Sequence, residues 1–128
     1  MKFIILPIVS WVICGVLKFA INATKHGRDA FSLIGHGGFP SNHTAVISST
    51  MWGFLLTGQW HNAGLALAIL MIVVFDATAL RREVGRHAAA LNQLTGSHFR
   101  ELMGHRLIDV AAGFLVGLAV ATAVCSVW

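Results

Sequence analysis

Four apolar runs, residues 3–21, 44–57, 63–80 and 107–128, take up most of a chain of 128 residues. They leave the fold few options, because about 20 predominantly apolar residues is the length that crosses a bilayer core, and shorter runs do so only with suitable flanks. Hydrophobic residues make up 56% of the chain and charged ones 11%, more apolar surface than one small soluble core can hide. The composition predicts a single integral membrane domain over residues 1–128, all-α, with four transmembrane helices and a short interfacial amphipathic helix.

Polar interruptions distinguish the runs. Pro7, Ser10 and Lys18 break the first, which lacks a small-residue cleavage site and reads as a retained helix rather than a signal peptide. Asp76 lies near one end of the third and Asp109 near the start of the fourth. Cys14 and Cys125 sit inside apolar runs, so their placement suggests neither a disulfide framework nor a thiolate metal site.

With four spans, segments 22–43 and 81–106 emerge on one face, and the Gly58–Asn62 connection and both termini on the other. Of the nine Lys and Arg, Lys18, Lys25, Arg28, Arg81, Arg82, Arg86, Arg100 and Arg106 fall on the first face and only Lys2 on the second. The positive-inside rule makes the first face cytoplasmic. Six of the seven histidines, all but His61, gather there too.

On that face the stretch Gly35 to Ala45, GHGGFPSNHTA, leads into the second run. Its glycines, Gly38 among them, permit positive backbone torsions, and Ser41 or Asn42 can cap the helix that follows. Free N–H groups at a helix start, with the helix dipole behind them, form a ready anion site. His43 stands where it could give a proton to an anion held there. A second stretch, Glu101 to Gly113, holds His105 and Asp109 four residues apart. On a helix that spacing stacks them, so that the carboxylate accepts the imidazole N–H and frees the other ring nitrogen as nucleophile or base. An ionisable group at membrane depth, as Asp109 is, is a functional candidate by default.

Pro40-Ser41-Asn42-His43-Thr44 resembles the Pro-Ser-Gly-His-Thr motif of the type 2 phosphatidic acid phosphatase superfamily, and Gly104 to Val110 resembles its His-x-x-x-Asp motif. The closer similarity is to the small divergent branch, related to acid phosphatases and vanadium-dependent haloperoxidases. Gly-Gly-x-Pro-Ser-x-His, the stretch Asp76 to Arg86, Leu91-Asn92 and the Glu-Leu-x-Gly-His that starts at Glu101 carry it, in the same order from Lys18 to Gly117.

The resemblance implies that His105 is the nucleophile, Asp109 its orienter and His43 the acid for the leaving oxygen, with neither metal nor cofactor. The phosphate would be held by Lys18, Gly38, Ser41, Asn42, Arg81, Arg82, Arg86 and Arg100, since phosphoryl transfer is mostly positioning and charge stabilisation. The sequence departs from the superfamily in four respects. Arg-Pro is missing after Lys18, Phe99 stands six residues before His105 where arginine is expected, Asn42 replaces a glycine, and the spans number four rather than six. Arg81 and Arg82 are the expected substitutes in the clamp.

Residues 83–99 read as the amphipathic helix, with Val84, His87, Ala88 and Leu91 at helical spacing and Thr95-Gly96-Ser97 as breaker. Asp109, Gly113, Gly117 and Ala121 recur at intervals of four, a small-residue face that packs within the chain first and admits a homodimer second. Asp76 is expected to pair with an arginine such as Arg81. The function expected is a phosphatase removing a terminal phosphate from a phospholipid or polyprenyl (di)phosphate at the cytoplasmic face of a bacterial plasma membrane. Its partners would be that substrate and membrane lipids, with no nucleic acid. The alternative is a protein that binds or moves anionic lipid without cleaving it; a histidine-bound metal site is weaker, because the histidines lack ligand spacing.

Overall fold

A computed structural model describes residues 2–26, 38–101 and 103–127. Gly35, His36 and Gly37 of the glycine-rich stretch lie outside them. The described residues form α1 (Lys2–His26), α2 (Asn42–Leu56), α3 (Trp60–Phe75), a π-helical turn (Asp76–Leu80), α4 (Arg81–Thr95) and α5 (Leu107–Val127).

Local chemistry explains most of the boundaries. Ser41 caps α2, its Oγ accepting the Thr44 N–H at 3.4 Å and the Thr44 hydroxyl at 3.0 Å. Gly58, at φ 73°, and Gln59 turn the chain back to Phe54 and Leu55 carbonyls, and α3 starts at once. α4 ends on Gly96 in the left-handed conformation, with its N–H donated to the Asn92 carbonyl at 2.9 Å. α5 starts after Arg106, whose N–H donates to Asp109 Oδ2 at 2.8 Å, an acidic side chain reaching back to an orphan donor at a helix start.

α2 is the inner helix, packed on α1, α3 and α5. One cluster joins Leu6, Val120 and Ala121 with Phe3, Val9 and Trp52; another joins Met51, Ala66 and Leu70 with Ile47, Phe54 and Phe114. α5 lies so close to α2 that a Cβ on Gly117 would strike Ser48 Oγ and come within 2.8 Å of Ser49 N. One on Gly113 would strike the Ser41 carbonyl. The small-residue face of α5 is thus occupied inside the chain. Hydroxyls on the buried side of α2 donate to carbonyls, Ser49 Oγ to Val46 O at 2.8 Å, and Ser10 Oγ of α1 donates across to Ala45 O of α2 at 2.8 Å.

Among the described residues, three segments are long and apolar enough to cross a membrane: Lys2–Lys25, Trp60–Thr95 and Leu107–Val127. The second run forms a helix of 15 residues, about 22 Å at 1.5 Å per residue against a hydrocarbon core of about 30 Å. The third run and the amphipathic segment are not separate elements. α3 continues through the π-turn into α4 as one helix, and Arg81 N–H bonds Asp76 O across the wide turn. The outward sides of α1, α3 and α5 are apolar and exposed, with Ile4, Trp11, Ile72, Phe75 and Leu115 among them.

Candidate active site

The Pro40–Thr44 and Gly104–Asp109 segments are joined by their backbones. Ser41 N–H donates to the Asp109 carbonyl at 2.9 Å, which fixes the start of α2 against the start of α5. The His43 and His105 rings then lie edge to face, with centroids 6.2 Å apart and planes at 87°. Two residues sixty-two positions apart in sequence thereby become neighbours.

His105 is held from the other side by the π-turn. Its N–H donates to the Ala77 carbonyl at 2.8 Å, and Gly104, at φ 95°, lets the chain pass there, since a Cβ would stand 3.1 Å from Ala77 O and 3.3 Å from Arg82 N. A π-turn inside a helix often marks a functional position. Here it lies under the histidine. The ring is 5% exposed, and neither Nδ1 nor Nε2 has a hydrogen-bond partner among the described residues. Buried polar atoms are normally paired, so an imidazole with both nitrogens unpaired is a candidate for contact with something else.

Burial, followed by the positive charge of Lys18, pushes the His105 imidazole below its ordinary 6.5; the negative charge of Asp109 opposes them. The neutral ring, the form that can act as a nucleophile, is thereby favoured.

Asp109 corrects one expectation. The four-residue spacing predicts stacking on a helix, but His105 precedes α5, so the stacking does not occur. The Asp109 carboxylate, 3% exposed, serves the start of its own helix through Arg106 N–H; Oδ1 makes no hydrogen bond and lies 3.6 Å from Arg106 Nη2. Its charge still reaches His105, but no hydrogen bond joins the two.

At His105 opens a cleft of about 290 Å³, lined by Gly38, Arg82, Met103, Gly104, His105, Arg106 and Asp109; His43 is exposed and stands outside this lining, next to the His105 ring. The expected phosphate-holding residues divide around it. Gly38 and Arg82 line it, and Lys18 is half-buried on α1 with its charge felt at His105. Asn42 is half-buried beside His43, with Oδ1 unpaired. Ser41 is fully buried and its Oγ is committed to capping α2.

The remaining arginines stand outside the lining. Arg81 donates from Nε to Asp76 Oδ2 at 2.8 Å, the pairing expected for Asp76. Arg86 pairs with Glu83 on the exposed side of α4, and Arg100 is exposed in the connection to α5. Physically, α4 turns only part of its basic surface to the cleft, so a run of arginines in sequence is not a ring of arginines in space.

Sequence reasoning missed Arg106 and Met103. Adjacency to His105 was the signal for Arg106, since residues of an extended segment share whatever surface that segment borders. Among the described residues, no group of three or more His, Cys, Asp and Glu side chains converges as a metal site would.

Comparison with known proteins matches the sequence to a family. The chain is 27% identical over 127 positions to the uncharacterized membrane protein YuiD of Bacillus subtilis (strain 168), covering 80% of each chain. No solved structure matches it. The apolar helices and this relative mark an integral membrane protein. Residues 1–120, which include both histidine segments, match the model of the Divergent PAP2 family, and the chain belongs to that family.

Proposed function

We propose that this protein is a membrane lipid-phosphate phosphatase working through a phosphohistidine, with His105 as nucleophile and His43 as proton donor. The observation that carries the reading is the approach of the two imidazoles, with His105 buried, unpaired on both ring nitrogens and lining a cleft that also holds Arg82 and Arg106. Membership of the Divergent PAP2 family supports the reaction class.

In the proposed reaction a neutral His105 nitrogen attacks phosphorus and the N–P bond forms as the bond to the lipid oxygen breaks. His43 gives that oxygen its proton. Water, deprotonated by His43, then cleaves the N–P bond and releases inorganic phosphate. Arg82 and Arg106 face the nonbridging oxygens, with Lys18 adding charge from behind; Gly38 and Asn42 border the group, and Arg81 stays with Asp76 until a phosphate competes for it. Asp109 favours the charged imidazole through its field. Each such donor is worth about 10²–10³ in rate when the transition state carries the charge. No metal or cofactor takes part.

The substrate is a phospholipid or polyprenyl chain ending in phosphate or diphosphate. The exposed apolar sides of α1 and α3 suit acyl chains beside a headgroup-level site. α2 serves as a fourth, short span inside the bundle, α4 extends the third span at the cytoplasmic side of a bacterial plasma membrane, and the basic residues set that orientation.

One observation favours a second reading, binding or transport of anionic lipid without cleavage: Asp109 makes no hydrogen bond to His105. The two separate in liposomes free of divalent metal. The phosphatase releases phosphate from lipid phosphates and is stopped by vanadate, and H105A and H43A abolish release. Full release by both variants overturns the mechanism, and lipid binding without any release selects the second reading.

A further inference from the structure

The segment between α4 and α5 begins on Gly96, at φ 68°, and passes through a second glycine of positive φ, Gly104 at 95°, just before His105. Its principal side-chain anchor is Asn92. The Asn92 amide satisfies both backbone groups of one residue, Nδ2 donating to Phe99 O at 2.7 Å and Oδ1 accepting Phe99 N–H at 2.7 Å. The same Nδ2 donates to Glu101 Oε1 at 2.8 Å. A side-chain amide used in this way replaces a neighbouring strand and fixes register as well as distance.

From there the segment keeps to one face of the helix. The Glu101 carbonyl rests where a Cβ on Gly85 would collide with it, and Met103 N–H donates to that carbonyl at 2.9 Å. Gly104 passes over Ala77 O and Arg82 N, and His105 N–H reaches Ala77 O. Asn92, Gly85 and Arg82 are spaced seven and three residues apart, one stripe of α4.

We propose that Asn92 is a positioning residue: by clamping Phe99 and Glu101 onto α4, it places His105 and Arg106 opposite Arg82, so that all three face one phosphoryl group. This inference rests on the phosphatase reading. Asn92 itself is not among the residues that line the cleft, and its side-chain hydrogen bonds go to Phe99 and Glu101. Its action is on the segment that carries them, and a misplacement of about 1 Å in such a wall costs about 10²-fold in rate.

The test uses the full chain in detergent and in liposomes, reading orthovanadate affinity by calorimetry and phosphate release from phosphatidic acid per folded molecule. N92A and N92D are expected to lower turnover about 10²-fold and to weaken vanadate binding. In N92D the Phe99 N–H keeps its acceptor, but a carboxylate faces both the Phe99 carbonyl and Glu101. Adding E101Q removes the facing charge and supplies a donor there while the Phe99 carbonyl stays without one, so N92D/E101Q is expected to recover part of the turnover and vanadate affinity lost in N92D, a rescue that loss of folding alone would not produce. If N92A and N92D keep parental turnover and vanadate affinity while H105A loses both, the positioning role is overturned and the phosphatase reading stands. Losses in N92A and N92D that match the unfolded fraction, with no rescue by E101Q, also overturn it. If the parent neither binds vanadate nor releases phosphate, both fall together.

Discussion

Replacing Gly113 with alanine tests whether packing between α2 and α5 sets the catalytic geometry. An alanine Cβ there would lie under 3.0 Å from the Ser41 carbonyl and 3.1 Å from Thr44 Cβ. The carbonyl is backbone, at the cap of α2, and cannot rotate away. Restoring an ordinary separation of about 3.5 Å requires the two helix starts to part by roughly 1 Å. Overpacking of this kind costs about 1–3 kcal/mol of stability. The same displacement strains the Ser41 to Asp109 bond and moves His43 away from His105, for which about 10²-fold in turnover is the expected loss. Gly64 is the control, because a Cβ there meets nothing within 4 Å, and alanine in a helix interior is neutral to slightly favourable. The assay is thermal unfolding in detergent together with phosphate release in liposomes. G113A with parental melting and turnover, indistinguishable from G64A, would refute the coupling of this interface to the site.

Other consequences follow from the same geometry. R82A and R106A are expected to lower kcat/KM for a lipid phosphate about 10²-fold or more, whereas R86A and R100A, outside the cleft, change it no more than a few-fold; steady-state kinetics on the four variants checks the division. Because burial lowers the His105 pKa, the folded ring gives up its proton below pH 6.5, so an NMR titration of its Cε1–H in the ligand-free protein has its midpoint below 6.5. The neutral nucleophile accordingly persists at pH 6.5 and is lost only as pH falls further; a midpoint above 6.5 contradicts this. D109N keeps an oxygen for the Arg106 N–H but loses the charge, so its melting temperature stays close to the parent's while turnover drops; unchanged turnover would remove Asp109 from the chemistry.

The parts legible in the sequence were those decided by neighbours along the chain. The Ser41 cap, the stop at Gly96, the Asp76–Arg81 pair and the small-residue face of α5 depend on short-range spacing, and each is present. His105 and Asp109 show where such reasoning stops. Their spacing is helical in number, but α5 begins after Arg106, where the Asp109 carboxylate captures an orphan N–H, and the histidine is left on the approach. The π-turn under His105 has no sequence signal that distinguishes it from an ordinary turn of helix, because its role is to offer a carbonyl to a residue 28 positions away. Likewise the inner position of α2 follows from three-sided packing, and hydropathy registers only its short length. Which arginines reach the cleft depended on the direction in which α4 faces, a tertiary property.

The most direct test of two histidines acting on one phosphoryl group is rapid-quench labelling. The full chain in liposomes is mixed with lipid substrate carrying a radioactive phosphate, quenched in alkali within a turnover, and mapped by mass spectrometry. The label is predicted on His105, stable to base and labile to acid, absent in H105A and slow to form in H43A. Turnover with no label on His105, or with the label on any other side chain, would contradict the account.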